Sequence, residues 1–353
     1  MLRNLRQRIT ITDILIWMIG LFIAGAVIYG TIGTLKIGQY SGSSWLDLTI
    51  KGLALGGVYA LIAMGYTMVY GILKMINFAH SVVFMSGPFT ACFVAIGFAK
   101  SGFLDKQPWI SLLVITLVSA GVSCVIAIML ERIAYRPLRN APRLVPLITA
   151  IGASFFLQYA FRGLFGSGSF GYPAIKSLET SIKVGSIQIH MTQLAVIFGA
   201  VVMMFVLYGI VQWTKIGKAM RAVSEDKEAA ALMGIDVDRI IVFTFAIGGA
   251  SAGVGGVLYT LLFPVVNFYM GFFPGIKAFT AAVLGGIGNV PGAFLGAIII
   301  GLLESVGPNL FLTGLGIPSP SQLKDAIAFV VLVLILIFRP TGILGERIAT
   351  EKA

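Results

Sequence analysis

The chain has 353 residues, of which 58% are apolar and only 11% are charged, and its mean hydropathy is +0.97. Soluble globular domains are about 45–50% apolar and about 25% charged, so these values exclude an ordinary water-soluble protein and predict one that crosses a lipid bilayer several times. The net charge of +11 does not predict a nucleic-acid partner, because the basic residues lie in connectors beside apolar runs, where they act as topology signals.

Apolar runs of about 20 residues are long enough to cross a bilayer as a helix. The sequence predicts such helices at 12–33, 48–70, 78–99, 109–130, 144–164, 192–213 and 240–263. The first run resembles a signal peptide, because arginines precede it and Ala24-Gly25-Ala26 looks like a cleavage site. That tripeptide lies inside a run longer than the apolar region of a signal peptide, so we predict a retained helix.

The distribution of lysine and arginine predicts the orientation, because these residues concentrate in cytoplasmic connectors. A cytoplasmic N-terminus places the larger group inside: Arg3, Arg6, Arg8, Arg132, Arg136, Arg139, Arg143, Lys215, Lys218, Arg221, Lys227, Arg239, Arg339, Arg347 and Lys352. The smaller group then lies outside: Lys36, Lys51, Lys100, Lys106, Arg162, Lys176 and Lys183. Both termini are then cytoplasmic and the number of crossings is even. Residues 264–306 must supply two crossings and 325–338 one, for about ten in all.

Cysteine and histidine give no sign of a disulfide, a metal site or a cofactor. Cys92 and Cys124 both lie within apolar runs, where cysteine acts as a small core residue. His80 and His190 are far apart and have no cysteine or carboxylate at ligand spacing.

Two segments interrupt the helical pattern inside the predicted membrane region, at 71–80 and at 285–292. Such breaks survive only where protein or a water-filled cavity surrounds them. Their similar places in the two halves of the chain suggest loosely repeated halves, as in transporters. The candidate pathway residues are Asn77, His80, Gly285, Gly286, Gly288 and Asn289. Helix packing or a turn remains an equal alternative for the second segment, and a purely structural polar contact for the first.

The connector 214–239 is polar and is predicted to contain a short cytoplasmic helix. Ser224 is the expected N-cap, acidic residues occupy the predicted first turn, and Gly234 is expected to end the helix in a left-handed conformation. The alanines at 229–231 would give a low surface that another protein can contact closely. An ordinary solvated loop is the alternative.

The segment 217–235 resembles the Glu-Ala-Ala coupling loop of bacterial ABC import permeases, and specifically that of the branched-chain amino-acid permease family. Three further segments carry the same resemblance: 60–80, 277–288 and 339–342. It covers about residues 48–345, which leaves 1–47 as an additional N-terminal helix with its connector and 346–353 as a cytoplasmic tail. The chain departs from the family pattern at Ser81, where glycine is usual, and at Pro88 and Phe89.

The resemblance implies an all-α integral membrane permease that is not itself an enzyme, in a bacterial inner membrane. It implies an ATPase-coupling helix with Ser224, Glu225, Glu228, Ala229, Ala230 and Gly234. It also implies two ATP-binding subunits, a second and often unlike permease chain, a binding protein outside the membrane and an amino-acid substrate. The sequence has no Gly-x-x-x-x-Gly-Lys-Ser/Thr loop, so ATP would be bound by the partners.

Other classes of function are less well supported. A self-sufficient secondary transporter usually carries ionisable groups within its spans, whereas Asp13, Glu131, Glu304 and Asp325 are expected near the ends of apolar runs. A membrane enzyme would need a nucleophile with its base, or a metal set, at useful spacing. A urea or short-amide permease of the same superfamily is the nearest alternative.

Overall fold

The computed structural model describes residues 11–139, 141–142, 144–184, 187–339 and 341–345. The helices are α1 (Ile11–Ile37), α2 (Gly42–Leu73), α3 (His80–Lys100), α4 (Phe103–Lys106), α5 (Pro108–Leu130), α6 (Leu144–Phe165), α7 (Met191–Trp213), α8 (Lys215–Glu225), α9 (Lys227–Leu232), α10 (Val237–Leu262), α11 (Phe272–Gly285), α12 (Val290–Gly307) and α13 (Lys324–Phe338). Shorter helical turns cover Glu131–Tyr135, Arg136–Leu138, Lys176–Leu178, Pro308–Leu312, Thr313–Leu315 and Pro320–Leu323. The predicted tail at 346–353 and the arginines before residue 11 lie outside the described residues.

The all-α membrane fold predicted from the sequence is confirmed. Within the described residues, nine helical segments are long and apolar enough to cross a membrane, and they include all seven predicted runs. The region 264–306 forms two helices, α11 and α12, and residues 286–289 separate them within the predicted break at 285–292. With 14 residues, α11 is about 21 Å long and is therefore shorter than the hydrocarbon core of about 30 Å.

The central helices of the bundle are α2, α3 and α10, because more than half of the apolar window of each is buried. Glycine permits their close approach to neighbouring helices. A Cβ at Gly56 would lie 2.8 Å from the Cα of Ile298, and a Cβ at Gly301 would lie 2.4 Å from the carbonyl oxygen of Gly52. The backbones of α2 and α12 are therefore in direct, antiparallel contact.

The connectors gather at the two ends of this bundle. The connector 214–236 lies at the same end as Glu131–Leu138, since Arg136 contacts Asp238 at the start of α10. The breaks after α2 and after α11 reach this end too, because Asn77 and Ile287 line one cavity there. We call this end the lower face and the opposite end the upper face. The cytoplasmic location of the lower face stays a prediction.

The upper face carries short strands that the sequence analysis did not predict. β1 (Phe170–Gly171) pairs antiparallel with β4 (Val265–Val266), and β2 (Ser181–Val184) pairs antiparallel with β3 (Ile187–His190). Both small sheets satisfy backbone groups in connectors, so they leave the helical architecture unchanged.

Candidate coupling and pathway sites

The connector between α7 and α10 folds into two helices, α8 and α9, where the sequence predicted one. The predicted cap at Ser224 is wrong, because this residue lies in the last turn of α8 and its hydroxyl donates to the carbonyl of Arg221 at 2.7 Å. Asp226 is the cap: its carboxylate accepts from the backbone N–H groups of Glu228 at 2.8 Å and of Ala229 at 3.0 Å. Aspartate caps a helix as well as serine does, and only the local backbone decides between them. Glu225 therefore ends α8, while Glu228 stands in the first turn of α9.

The predicted end of this helix at Gly234 is confirmed. Gly234 has φ +84°, its N–H donates to the carbonyl of Ala231 at 3.0 Å, and the N–H of Ile235 donates to that of Ala230 at 3.1 Å. These two bonds form a Schellman motif, which favours glycine at the left-handed position.

The surface that α9 presents differs from the predicted alanine patch. Ala230 is buried against the rest of the chain, whereas Ala229 and Ala231 are exposed. Leu232 and Met233 are 89% and 83% exposed, although they lie in an otherwise polar connector. Two adjacent large apolar side chains exposed to this degree are typical of a protein contact. These two exposed side chains were not predicted from the sequence, where the available signal is a Leu-Met pair outside every apolar run.

The first residue of α9, Lys227, is near positive charges on the lower face. Burial lowers the pKa of Lys227, and the positive charges of Arg139 and Lys74 lower it further. Arg139 is itself paired with Glu131, which is completely buried, and with Asp238 of α10. This charged cluster of Glu131, Arg139 and Asp238 joins the turn after α5 to the start of α10.

The turn that follows α5 connects this cluster to Asn77. Residues Glu131–Tyr135 form a π-helical turn, a rare conformation that occurs often at functional sites. The turn begins with the buried Glu131 and ends with Tyr135, whose hydroxyl donates to Oδ1 of Asn77 at 2.6 Å. Both of these partners are buried, so this hydrogen bond fixes the break between α2 and α3 relative to α5.

Asn77 lies beside a small cavity that both interrupted segments border. The cavity is lined by Tyr66, Tyr70, Ile76, Asn77, Phe279, Ala282 and Ile287. His80 does not line it: its ring packs edge-on against Tyr66 at 4.8 Å and lies where a Cβ on Gly65 would be. The structure therefore brings Asn77 close to the second break and places His80 in a packed core.

The glycines of the second break make close contacts and turns. A Cβ at Gly285 would lie 2.0 Å from the carbonyl oxygen of Gly292, and one at Gly286 would lie 2.4 Å from the N of Gly345. Gly286 and Gly288 have φ +104° and +102°, and a Cβ at Gly288 would meet open space.

Asn289 caps α12, because its Oδ1 accepts from Gly292 N at 2.8 Å and its Nδ2 donates to the carbonyl of Leu344 at 3.1 Å. Structural contacts thus explain why Gly285, Gly286 and Asn289 occupy their positions. At Gly288, by contrast, a Cβ would face open space.

A second buried group of charges lies towards the upper face. Nζ of Lys277 lies 2.7 Å from Oε1 of Glu304 and 2.6 Å from Oδ1 of Asp325, and the hydroxyl of Tyr59 donates to Oε2 of Glu304 at 2.8 Å. The side chains of Lys277 and Glu304 are 5% and 3% exposed. This ion cluster joins α2, α11, α12 and α13.

The prediction that the carboxylates lie near the ends of apolar runs is confirmed for Glu131, which directly follows the last residue of α5, but it is wrong for Glu304. The span that contains Glu304 continues through further helical turns to Leu315. Both side chains are buried, and each is neutralised by a basic partner, as charges within a membrane require. In the part of the chain that is described, no three His, Cys, Asp or Glu residues group as metal ligands.

A family model described as "branched-chain amino acid transport system / permease component" matches residues 48–336. The chain belongs to this permease family. The match includes the connector 214–236, both breaks and the ion cluster, whereas α1 lies before it. The family membership, rather than the positions of the carboxylates, argues against a self-sufficient carrier.

Two relatives are named as permease proteins of a branched-chain amino acid transport system. The permease protein BraD of the high-affinity branched-chain amino acid transport system of Pseudomonas aeruginosa is 42% identical over 305 residues, 86% of this chain and 96% of that protein. The corresponding protein LivH of Escherichia coli is 39% identical over 311 residues, again 86% and 96%. The autoinducer 2 import system permease protein LsrC of Yersinia enterocolitica is more distant, at 28% identity over 288 residues, 80% of this chain and 72% of that protein.

Proposed function

We propose that this permease moves branched-chain amino acids across a bacterial inner membrane by alternating access, with ATP hydrolysis on a partner chain. The names of the relatives that match nearly their whole length support this substrate over urea or a short amide. The observation that carries the coupling part of the proposal is α9, a capped helix that exposes Leu232 and Met233 on a polar connector. The lower face would then be cytoplasmic, in agreement with the count of lysines and arginines.

The partners follow from this arrangement. An ATP-binding subunit would hold α9 in a surface cleft, with Leu232 and Met233 as the buried apolar contacts and Glu228 and Ala229 at the rim. Buried Ala230 would keep α9 seated on the permease. A second permease chain with its own ATP-binding subunit would complete the pathway, and a binding protein would deliver the substrate to the upper face.

Movement of α9 would reach the pathway through the contacts of the lower face. Residues 233–236 join α9 directly to α10, whose Asp238 pairs with Arg139. The Arg139–Glu131 pair holds the π-helical turn, and Tyr135 at the end of that turn binds Asn77. A displacement of α9 would therefore shift the break beside the small cavity. Packed helices transmit such displacements as rigid bodies.

Asn77 and Gly288 are the strongest candidates for the pathway among the residues singled out from the sequence. Asn77 borders the cavity, and Gly288 stands open beside Ile287, which also borders it. The role proposed for His80, Gly285, Gly286 and Asn289 is to hold the walls of that cavity in place.

The experiment is a comparison of Leu232→Asp with Leu232→Met in the assembled transporter, reconstituted into lipid vesicles. The side chain of Leu232 is 89% exposed, so replacing it by a polar one should not disturb the folding of the membrane domain. We therefore expect Leu232→Asp to reach the membrane but to lose co-purification of the ATP-binding subunit and ATP-driven leucine uptake.

Leu232→Met keeps an apolar side chain and should retain both properties. Undiminished co-purification and uptake with Leu232→Asp would exclude α9 as the docking element, while the assignment to the family would stand.

A further inference from the structure

An apolar crevice lies between α1 and α13 near the lower face. Its volume is about 580 Å³, within the range of sites that hold small organic ligands. It is lined by Trp17, Gly20, Leu21, Ile23, Ala24, Val27, Leu284, Leu334, Ile335, Phe338, Arg339, Gly342 and Ile343. Arg339 is the charged residue among them. Leu21 is 70% exposed, so the crevice opens towards the surface that faces lipid.

The two helices touch at both ends of the crevice. Near the lower face, the rings of Trp17 and Phe338 pack edge-on with their centroids 5.7 Å apart. Towards the upper face, α1 packs tightly on the turns that follow α12, where a Cβ on Gly30 would lie 1.9 Å from the carbonyl oxygen of Phe311. A helix of another protein, about 10 Å wide, does not fit between elements that are in contact on both sides. A flexible hydrocarbon chain does.

A positive charge lies at the lower mouth of the crevice. Arg339 follows the last residue of α13 directly and is exposed. It lines the crevice, whereas the other described residues of the lining are uncharged. A basic group beside a crevice between membrane helices favours an anionic lipid headgroup.

We propose that this crevice binds one phospholipid with an anionic headgroup, taken from the leaflet at the lower face. One acyl chain fills the space between α1 and α13, and the phosphate lies against Arg339. An empty space of this size would leave its lining side chains without packing partners, and the chain supplies them. The lipid then fixes α1, which lies outside the family match, to the rest of the permease.

The test uses the full-length chain, purified in mild detergent and examined by native mass spectrometry with added phosphatidylglycerol or phosphatidylcholine. Val27→Phe fills the crevice, and Ile28→Phe is its control on the adjacent, 60% exposed position outside the lining. The added phenyl ring takes up space that the acyl chain of the lipid would otherwise fill. An acyl chain that buries about two methylene groups fewer binds roughly tenfold more weakly. We expect that loss for phosphatidylglycerol with Val27→Phe and normal retention with Ile28→Phe.

The charge contribution is tested with Arg339→Gln, which should abolish the preference for phosphatidylglycerol over phosphatidylcholine. Arg132→Gln is the control, because Arg132 is also exposed at the lower face but does not line the crevice. Equal binding of both lipids by the unaltered chain, or equal retention by Val27→Phe and Ile28→Phe, would overturn the proposal. A melting temperature measured for every variant separates loss of lipid from failure to fold.

Discussion

Replacing Lys277 by methionine should strongly destabilise the membrane domain. The ammonium group of Lys277 contacts both Glu304 and Asp325, at 2.7 and 2.6 Å, and is almost completely buried. Its removal leaves the buried carboxylate of Glu304 with Tyr59 as a donor and with the partly exposed Lys324, whose Nζ lies 4.0 Å away. Removal of one partner from a buried ion pair typically costs about 3–5 kcal/mol.

The size of this effect depends on which partner is removed. In Glu304→Gln, Lys277 keeps Asp325 at 2.6 Å, so the expected cost is smaller, about 1–3 kcal/mol. In the double variant Lys277→Met/Glu304→Leu, both buried charges are absent, and a well-packed apolar pair often replaces a buried ion pair with little loss. Lys277→Met should therefore be less stable than Glu304→Gln, and also less stable than the double variant.

Thermal denaturation followed by size-exclusion chromatography in detergent measures this order. A double variant less stable than Lys277→Met would refute the reasoning.

Three further substitutions test the packing of the lower face. Tyr135→Phe leaves the buried Oδ1 of Asn77 without this donor, at a cost of about 1–3 kcal/mol, and should lower uptake more than it lowers ATPase activity. Gly234→Val introduces a β-branched residue at φ +84° and should release the ATP-binding subunit, whereas Gly234→Asn should retain it on co-purification. Gly285→Ala would place a Cβ 2.0 Å from a backbone oxygen and should lower the melting temperature, whereas Gly97→Ala, with open space around it, should not.

The membrane-spanning helices were predictable because each one needs about 20 apolar residues, and because the charged connectors between them interrupt the hydropathy pattern. The end of α9 was predictable for a local reason as well, because Gly234 is suited to a left-handed C-terminus. Its beginning was not, because Ser224 and Asp226 are both good capping residues and the backbone geometry of the connector selects the second.

The contacts between distant segments were beyond the sequence pattern. The pairing of Tyr135 with Asn77 joins positions 58 residues apart, and that of Lys277 with Glu304 depends on how α11 returns beside α12. Glu304 was also expected near the end of a run, because the crossings predicted in 264–306 stop two residues after it. In the structure a π-helical turn begins at Pro308 and continues the span.

Purification of this permease from its native membrane in a gentle detergent, followed by mass spectrometry of the chains that remain attached, tests the central claim most directly. We expect an ATP-binding subunit and a second permease chain in stable proportion to this one. Recovery of this chain by itself, together with leucine uptake that does not depend on ATP, would contradict the proposal of an ATP-driven importer.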